Sequence, residues 1–155
     1  MPAAAKFSAD VLAVGTNTSA AVKAKAIAVE GQGKDKASLE VTATASGDAL
    51  AVTAVDTFTY AGGDDGSGAG VEAATSGVAL GEDSYATSRT KSFAINTNGA
   101  DIAFALTRSK ASGDVYEDAY ASVDPYGDVT GGGGMDVDNS NFSMALSVGV
   151  AVDIA

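Results

Sequence analysis

The residues with most chemistry to offer are acidic. Asp64-Asp65, the pair Asp124 and Asp128, and the run Asp136, Asp138, Asn139 and Asn141 each gather oxygen donors within a few positions. Ca²⁺ takes six to eight such oxygens from carboxylates, amides and carbonyls. The third group alternates oxygen ligands like the start of an EF-hand loop. However, Asn141 stands where that loop needs Gly, and Ser147 where it closes with Glu, so it is no EF-hand. The stretch from Gly62 to Gly68 lacks the spaced G-G-x-G-x-D repeat of secreted calcium β-rolls. Structural Ca²⁺ is the one cofactor these clusters suggest. The other reading of the same residues is solvated acids in turns, where charged side chains usually sit.

Other chemistries find less support. Glu82/Asp83 and Glu117/Asp118 are carboxylate pairs, but glycoside hydrolysis places its carboxyls across a sugar cleft, usually lined by aromatic platforms, and the chain has no Trp. With no Cys and no His, the chain alone cannot supply thiolate chemistry, His-ligated metal or a Ser-His-Asp triad. Gly131 to Gly134 is not followed by Lys-Ser/Thr, so it is no phosphate loop. Tyr116, Tyr120 and Tyr126 are either a surface ligand patch or caps on a core edge with their hydroxyls in water. The expectation is a protein that is not an enzyme. A formal charge of −11 argues against nucleic acid and anionic membrane surfaces as partners.

The elements that must position these residues read as strands. Hydrophobic residues make up 46% of the 155, but much of that share is Ala and only 6% is aromatic. One domain of ordinary size with a thin core follows, its sheets in close contact through small side chains. Nineteen Gly against two Pro favour tight turns over long helices. No run of about 18 apolar residues exists to form a transmembrane helix. Alternation is also the mark of an outer-membrane barrel, but the aromatic girdles of such barrels are missing, so membrane insertion is not expected. Met1 to Phe7 has no apolar region of the Sec-signal kind, which leaves any export route undetermined.

Along the chain, Phe7–Val14 is apolar and irregular, Thr16-Asn17-Thr18 a turn, Ser19–Glu30 a strand and 31–36 a loop. From Leu39 to Ser46, Leu39, Val41, Ala43 and Ala45 alternate with polar residues. Gly47-Asp48 then reads as the loop of a hairpin over 39–60, pairing Ala45 with Leu50, Ala43 with Val52 and Val41 with Ala54. Residues 61–70 read as a loop or cation site. A second hairpin, over 91–107, turns at Asn98-Gly99 and pairs Ile95 with Ile102, Phe93 with Phe104, Ala94 with Ala103 and Ser92 with Ala105. Residues 108–114 read as a polar link, Val115–Val123 as strand or short helix, and 124–128 as a turn.

The chain's last stretch, 141–155, is the longest alternation. Phe142, Met144, Leu146, Val148, Val150, Val152 and Ile154 fall on one face and small or polar residues on the other. Gly131 to Gly134 precede it as an expected tether. Nothing follows to tie the strand to its own domain, so it completes either its own body or a neighbour's.

Two resemblances bear on setting. Gly77-Val78-Ala79-Leu80-Gly81-Glu82-Asp83-Ser84-Tyr85-Ala86, with an echo at Ser92–Ile95, resembles the β-roll heads of trimeric autotransporter adhesins, which implies repetitive surface β-structure. Val152-Asp153-Ile154-Ala155 is similar to the acidic-then-apolar ends of bacterial one-step secretion substrates.

The expected fold is an all-β antiparallel sandwich, jelly-roll-like, spanning 1–155 as one domain, with a β-solenoid or β-roll as the alternative. The expected function is that of an extracellular or cell-surface structural subunit whose partner is itself. It would assemble into a filament, sheath or biofilm matrix, with the large face from Phe142 to Ile154 donated between subunits. The alternative is a calcium-dependent adhesin or glycan-binding module using the 61–70 and 124–139 loops.

Overall fold

In a computed structural model, residues 3–31, 34–62, 68–97, 100–124, 131–139 and 142–154 are described. For 68, 100–101, 123–124, 131–139 and 142–154 the description is of backbone alone. Alternation of small or apolar with polar residues fills these segments, and they form ten strands with no helix among them. The strands are β1 (Ala3–Val14), β2 (Ser19–Val29), β3 (Lys34–Gly47), β4 (Leu50–Gly62), β5 (Gly68–Leu80), β6 (Ser84–Thr97), β7 (Ala100–Ser112), β8 (Tyr116–Asp124), β9 (Gly131–Asn139) and β10 (Phe142–Ile154). No helix among the described residues is long and apolar enough to cross a membrane.

The strands make two sheets. One has four strands in the order β1-β4-β5-β8, the other six in the order β2-β3-β6-β7-β10-β9. Every described pair is antiparallel, so the fold is the expected antiparallel sandwich rather than a solenoid.

From β1 to β8, links that cross between the sheets alternate with links that turn back within one sheet. The link between β2 and β3 turns back within one sheet, as do those between β4 and β5 and between β6 and β7. The links after β1, β3, β5 and β7 cross instead from one sheet to the other. The registers put these four crossings at one end of the sandwich, because Val14 lies opposite Leu50, Leu50 opposite Leu80, and Leu80 opposite Tyr116. The crossings are stitched to one another by backbone hydrogen bonds: Ala49 N–H to Val14 O, Gly81 N–H to Ala49 O and Val115 N–H to Leu80 O.

The 39–60 hairpin does not form. β3 pairs with β2 and β6, and β4 with β1 and β5, so Gly47 to Ala49 is a corner between sheets. A two-residue link between alternating strands serves a hairpin or a corner equally well, and the face pattern is the same in both. The 91–107 hairpin forms with each expected pairing, including Ile95 with Ile102 and Phe93 with Phe104. Several strands run longer than expected. β3 begins at Lys34, inside the expected loop, and β7 takes in Arg108 to Ser112, the expected polar link. Residues 116–124 are strand, and residues 61–62 and 68–70 extend β4 and β5.

Between the sheets the side chains are small. Ala43, Ala45, Ala51, Ala86, Ala94, Ala103, Ala105 and Ala111 are fully buried, and Leu39, Val41 and Val71 are the largest buried groups. No aromatic residue is buried among those described. The facing strands β4 and β6, and β5 and β7, accordingly bring Cα atoms within 8 Å, closer than the usual sheet spacing of about 10 Å. Gly77 marks a close approach, since a Cβ there would lie 3.0 Å from Ser109 Oγ and 3.1 Å from Lys110 O. Hydroxyl groups span the gap. Thr53 and Ser88 share a hydrogen bond of 2.9 Å, Thr59 pairs with Ser92, and Ser109 Oγ donates to the Ser76 carbonyl. This is the thin core that the composition implies.

Candidate functional site

Because strands alternate faces, a core filled by small residues sends the large ones outward. On the six-stranded sheet the outer face carries Ile27, Phe93, Ile95, Ile102, Phe104 and Leu106, none of them buried. Phe93 and Phe104 lie opposite each other, ring centroids 5.7 Å apart, and Phe93 is 38% exposed. Together with Lys25, Ile27, Glu40 and Lys91 they line a shallow groove of about 290 Å³. On the four-stranded sheet Leu12, Val14, Leu50, Val52, Val78 and Leu80 form two cross-strand rows at the corner end. Leu12 is 51% exposed. Tyr116 and Tyr120 stand exposed on the same face of β8, while Phe58 and Tyr60 stack on β4. Both readings of the tyrosines, a ligand patch and caps with their hydroxyls in water, allow this exposure. Tyr126 lies outside the described residues.

Charge is sorted between the same two faces. Lys23 and Lys25 on β2, Lys34 and Lys36 on β3, Arg89 and Lys91 on β6, and Arg108 and Lys110 on β7 all occupy outer-face positions of the six-stranded sheet. These are every Lys and Arg of the chain except Lys6. Glu40 is the one acid among the described outer-face positions there. Its Oε1 accepts a 2.6 Å hydrogen bond from Arg89 Nη2 and lies 3.3 Å from Lys91 Nζ. The Arg89 hydrogen bond, with Lys91 behind it, holds the Glu40 carboxyl below its ordinary pKa. The outer face of the four-stranded sheet is the opposite. Asp10, Asp56, Glu72 and Asp118 lie there, with Lys6 as the one cation among the described positions.

A second cluster sits at the corner end. The Asp48 carboxylate accepts the Thr16 backbone N–H at 2.7 Å and the Thr16 hydroxyl, and these bonds lower its pKa. The geometry needs Gly15, whose φ is +140° and whose absent Cβ would overlap Asp48 Oδ1. Gly81, with φ +114°, stands in the same relation to the Asp114 carboxylate. Positions 15, 48, 81 and 114 are evenly spaced, so Gly and Asp alternate from corner to corner as an internal repeat of the fold.

None of the three clusters expected to hold calcium has its side chains among those described. Asp64, Asp65 and Asp128 lie outside the described residues. Asp124 ends β8, and Asp136 and Asp138 fall within β9, opposite Ala145 and Ser143 of β10. No group of three or more metal-binding side chains is present among the described residues. Gly131 to Gly134, expected as a tether, are the first residues of β9 and pair with Ser147 to Val150. The expected assembly strand is β10, and it lies between β7 and β9 of its own chain. Its large residues are in register with outer-face positions of β7: Leu146 with Arg108, Val148 with Leu106, Val150 with Phe104 and Val152 with Ile102. The Gly77–Ala86 stretch spans the end of β5, a corner and the start of β6.

Sequence reasoning missed the two outer faces as sites. The signal was present in the parity of the cations, which share one strand face within each pair Lys23/Lys25, Lys34/Lys36, Arg89/Lys91 and Arg108/Lys110. Comparison of the chain with protein-family models, with curated proteins and with solved structures gave no match.

Proposed function

We propose that the chain is a structural subunit that assembles with copies of itself, in an extracellular filament, sheath or biofilm matrix. The observation that carries this reading is the inverted distribution of side-chain size, with mostly Ala, Ser and Thr between the sheets and most of the Phe, Ile, Leu, Val and Tyr distributed over the two outer faces. A contiguous apolar patch rimmed by polar groups marks an interaction surface. A flat sheet face has the shape of a packing layer rather than of a cleft that encloses a small molecule. Two patches on opposite sides make contacts that do not close on themselves, and such contacts propagate. Donation of β10 enters this reading in a swapped form, in which the β9–β10 hairpin of one copy lies against β7 of the next.

Negative-stain microscopy and light scattering of the purified chain test the reading. Extended or sheet-like particles are expected without added ligand. A compact monomer at high concentration, whose melting temperature rises with Ca²⁺, would instead establish the calcium-dependent adhesin or glycan-binding module.

A further inference from the structure

We infer that the outer face of the six-stranded sheet of one copy docks on the outer face of the four-stranded sheet of a second copy, with the corner end of one over the hairpin end of the other. The inference rests on the self-assembly reading and names its interface. The first ground is charge: the six-stranded face carries every Lys and Arg but Lys6, while the four-stranded face carries Asp10, Asp56, Glu72 and Asp118. Two copies related face to like face would set cations on cations or acids on acids. Only the unlike pairing is complementary.

The second ground is the order of the rows along the strands. On the six-stranded sheet the row Lys23-Thr42-Arg89-Arg108 lies mid-strand. Lys25-Glu40-Lys91-Leu106 comes next, and then, toward the hairpin end, Ile27-Ser38-Phe93-Phe104 and Val29-Lys36-Ile95-Ile102. On the four-stranded sheet the apolar rows Val14-Leu50-Leu80 and Leu12-Val52-Val78 lie at the corner end, with Asp10 and Asp56 mid-strand. Laid corner end over corner end, the apolar rows of the four-stranded face meet the rows Ser19-Ser46-Tyr85-Ser112 and Ala21-Thr44-Thr87-Lys110, in which Tyr85 is the one large apolar side chain. Laid corner end over hairpin end, they meet Phe93, Phe104, Ile95 and Ile102, and the acids still meet Arg89, Arg108 and Lys91. The reversed stacking satisfies both patterns at once.

The third ground is area. Four strands at about 4.8 Å spacing and about 12 residues at about 3.3 Å each give a face of roughly 750 Å². A standard specific interface buries about 800 Å² per partner. Each copy offers one face of each kind, so the contact repeats without closing.

The test is a charge swap. Asp10→Lys/Asp56→Lys reverses the mid-strand charges of the four-stranded face, and Lys23→Glu/Arg108→Glu reverses two mid-strand cations of the six-stranded face. All four positions are exposed, and circular dichroism and thermal melts check that each variant folds like the parent. Each variant alone should lose assembly by roughly tenfold or more in the concentration needed. An equimolar mixture should assemble with the two variants alternating, and a chain carrying all four changes should assemble again. Raising the salt to about 1 M, where screening acts over about 3 Å, should weaken parental assembly even if a variant fails to fold. If the parent assembles but the swaps and salt leave assembly unchanged, this interface is wrong and the self-assembly reading survives. If the parent stays monomeric, whether or not its basic face is retained on an anionic polymer such as heparin, both fail.

Discussion

Individual hydroxyls carry more of this core than is usual, because Ala, Ser and Thr replace many of the larger apolar groups between the sheets. Most buried hydroxyls described here bridge strands, but Thr57 Oγ1 and Thr90 Oγ1 are buried without a hydrogen-bond partner. A buried hydroxyl left unpaired costs on the order of 1–3 kcal/mol, and Val matches Thr in shape. Thr57→Val and Thr90→Val should therefore each raise stability by about 1 kcal/mol in urea unfolding. A loss of stability would mean that the hydroxyls are satisfied in solution. The corner residues predict an acid response. Thr16 bonds to the Asp48 carboxylate, so its pKa is lower folded than unfolded. Its contribution is fully present above the unfolded pKa and is lost as the pH falls through that value toward the folded one. Asp48→Asn should flatten the acid limb of the stability curve relative to the parent. An unchanged limb would show that the corner bond does not couple to folding. Gly15→Ala should destabilise by more than about 1 kcal/mol in chemical denaturation, because it puts a side chain at φ +140° and into the Asp48 carboxylate.

At the scale of strands, the crossings at the corner end decide the architecture. The absence of Cys from the chain makes crosslinking a clean probe of them. Thr53→Cys with Ser88→Cys replaces oxygens 2.9 Å apart across the sheet gap and should form a disulfide in high yield under mild oxidation. Ala45→Cys with Leu50→Cys, opposite one another only in a 39–60 hairpin, should not; the reverse result would restore that hairpin. The contrast shows what the sequence could tell. Alternation located the strands because a period of two is a property of each strand alone. The Asn98-Gly99 hairpin was legible down to its register, since its local residues favour one tight turn. The link at Gly47-Asp48 was not, because a corner and a hairpin differ only in partners that lie far along the chain, β6 for β3 and β1 for β4. The thin core was legible from the Ala share. Which face of each strand is inner was not legible in general. Leu39 and Val41 point inward on β3, while Phe93 and Phe104 point outward on β6 and β7. The acid clusters stand out in the sequence, but what surrounds each depends on the three-dimensional path: Asp124 ends β8, while Asp136 and Asp138 share β9.

For the whole molecule, the inversion of side-chain size predicts opposite responses on the two sides of a sheet. Ala86 and Ala94 are fully buried where the sheets approach closely. Ala86→Leu or Ala94→Leu should cost about 1–3 kcal/mol or more, because the added carbons have no space. Phe93→Ser or Val52→Ser, on the outer faces, should change the stability of the isolated chain by about 0.5 kcal/mol or less while impairing assembly. An outer substitution as costly as an inner one would mean that the outer residues serve the fold and not a partner. Self-assembly through the outer faces is tested most directly by sedimentation velocity of the purified parent beside Phe93→Ser across a wide concentration series. The parent should shift to progressively larger species as concentration rises, with Phe93→Ser lagging behind it. A single monomeric boundary for the parent at every concentration would contradict the proposed role.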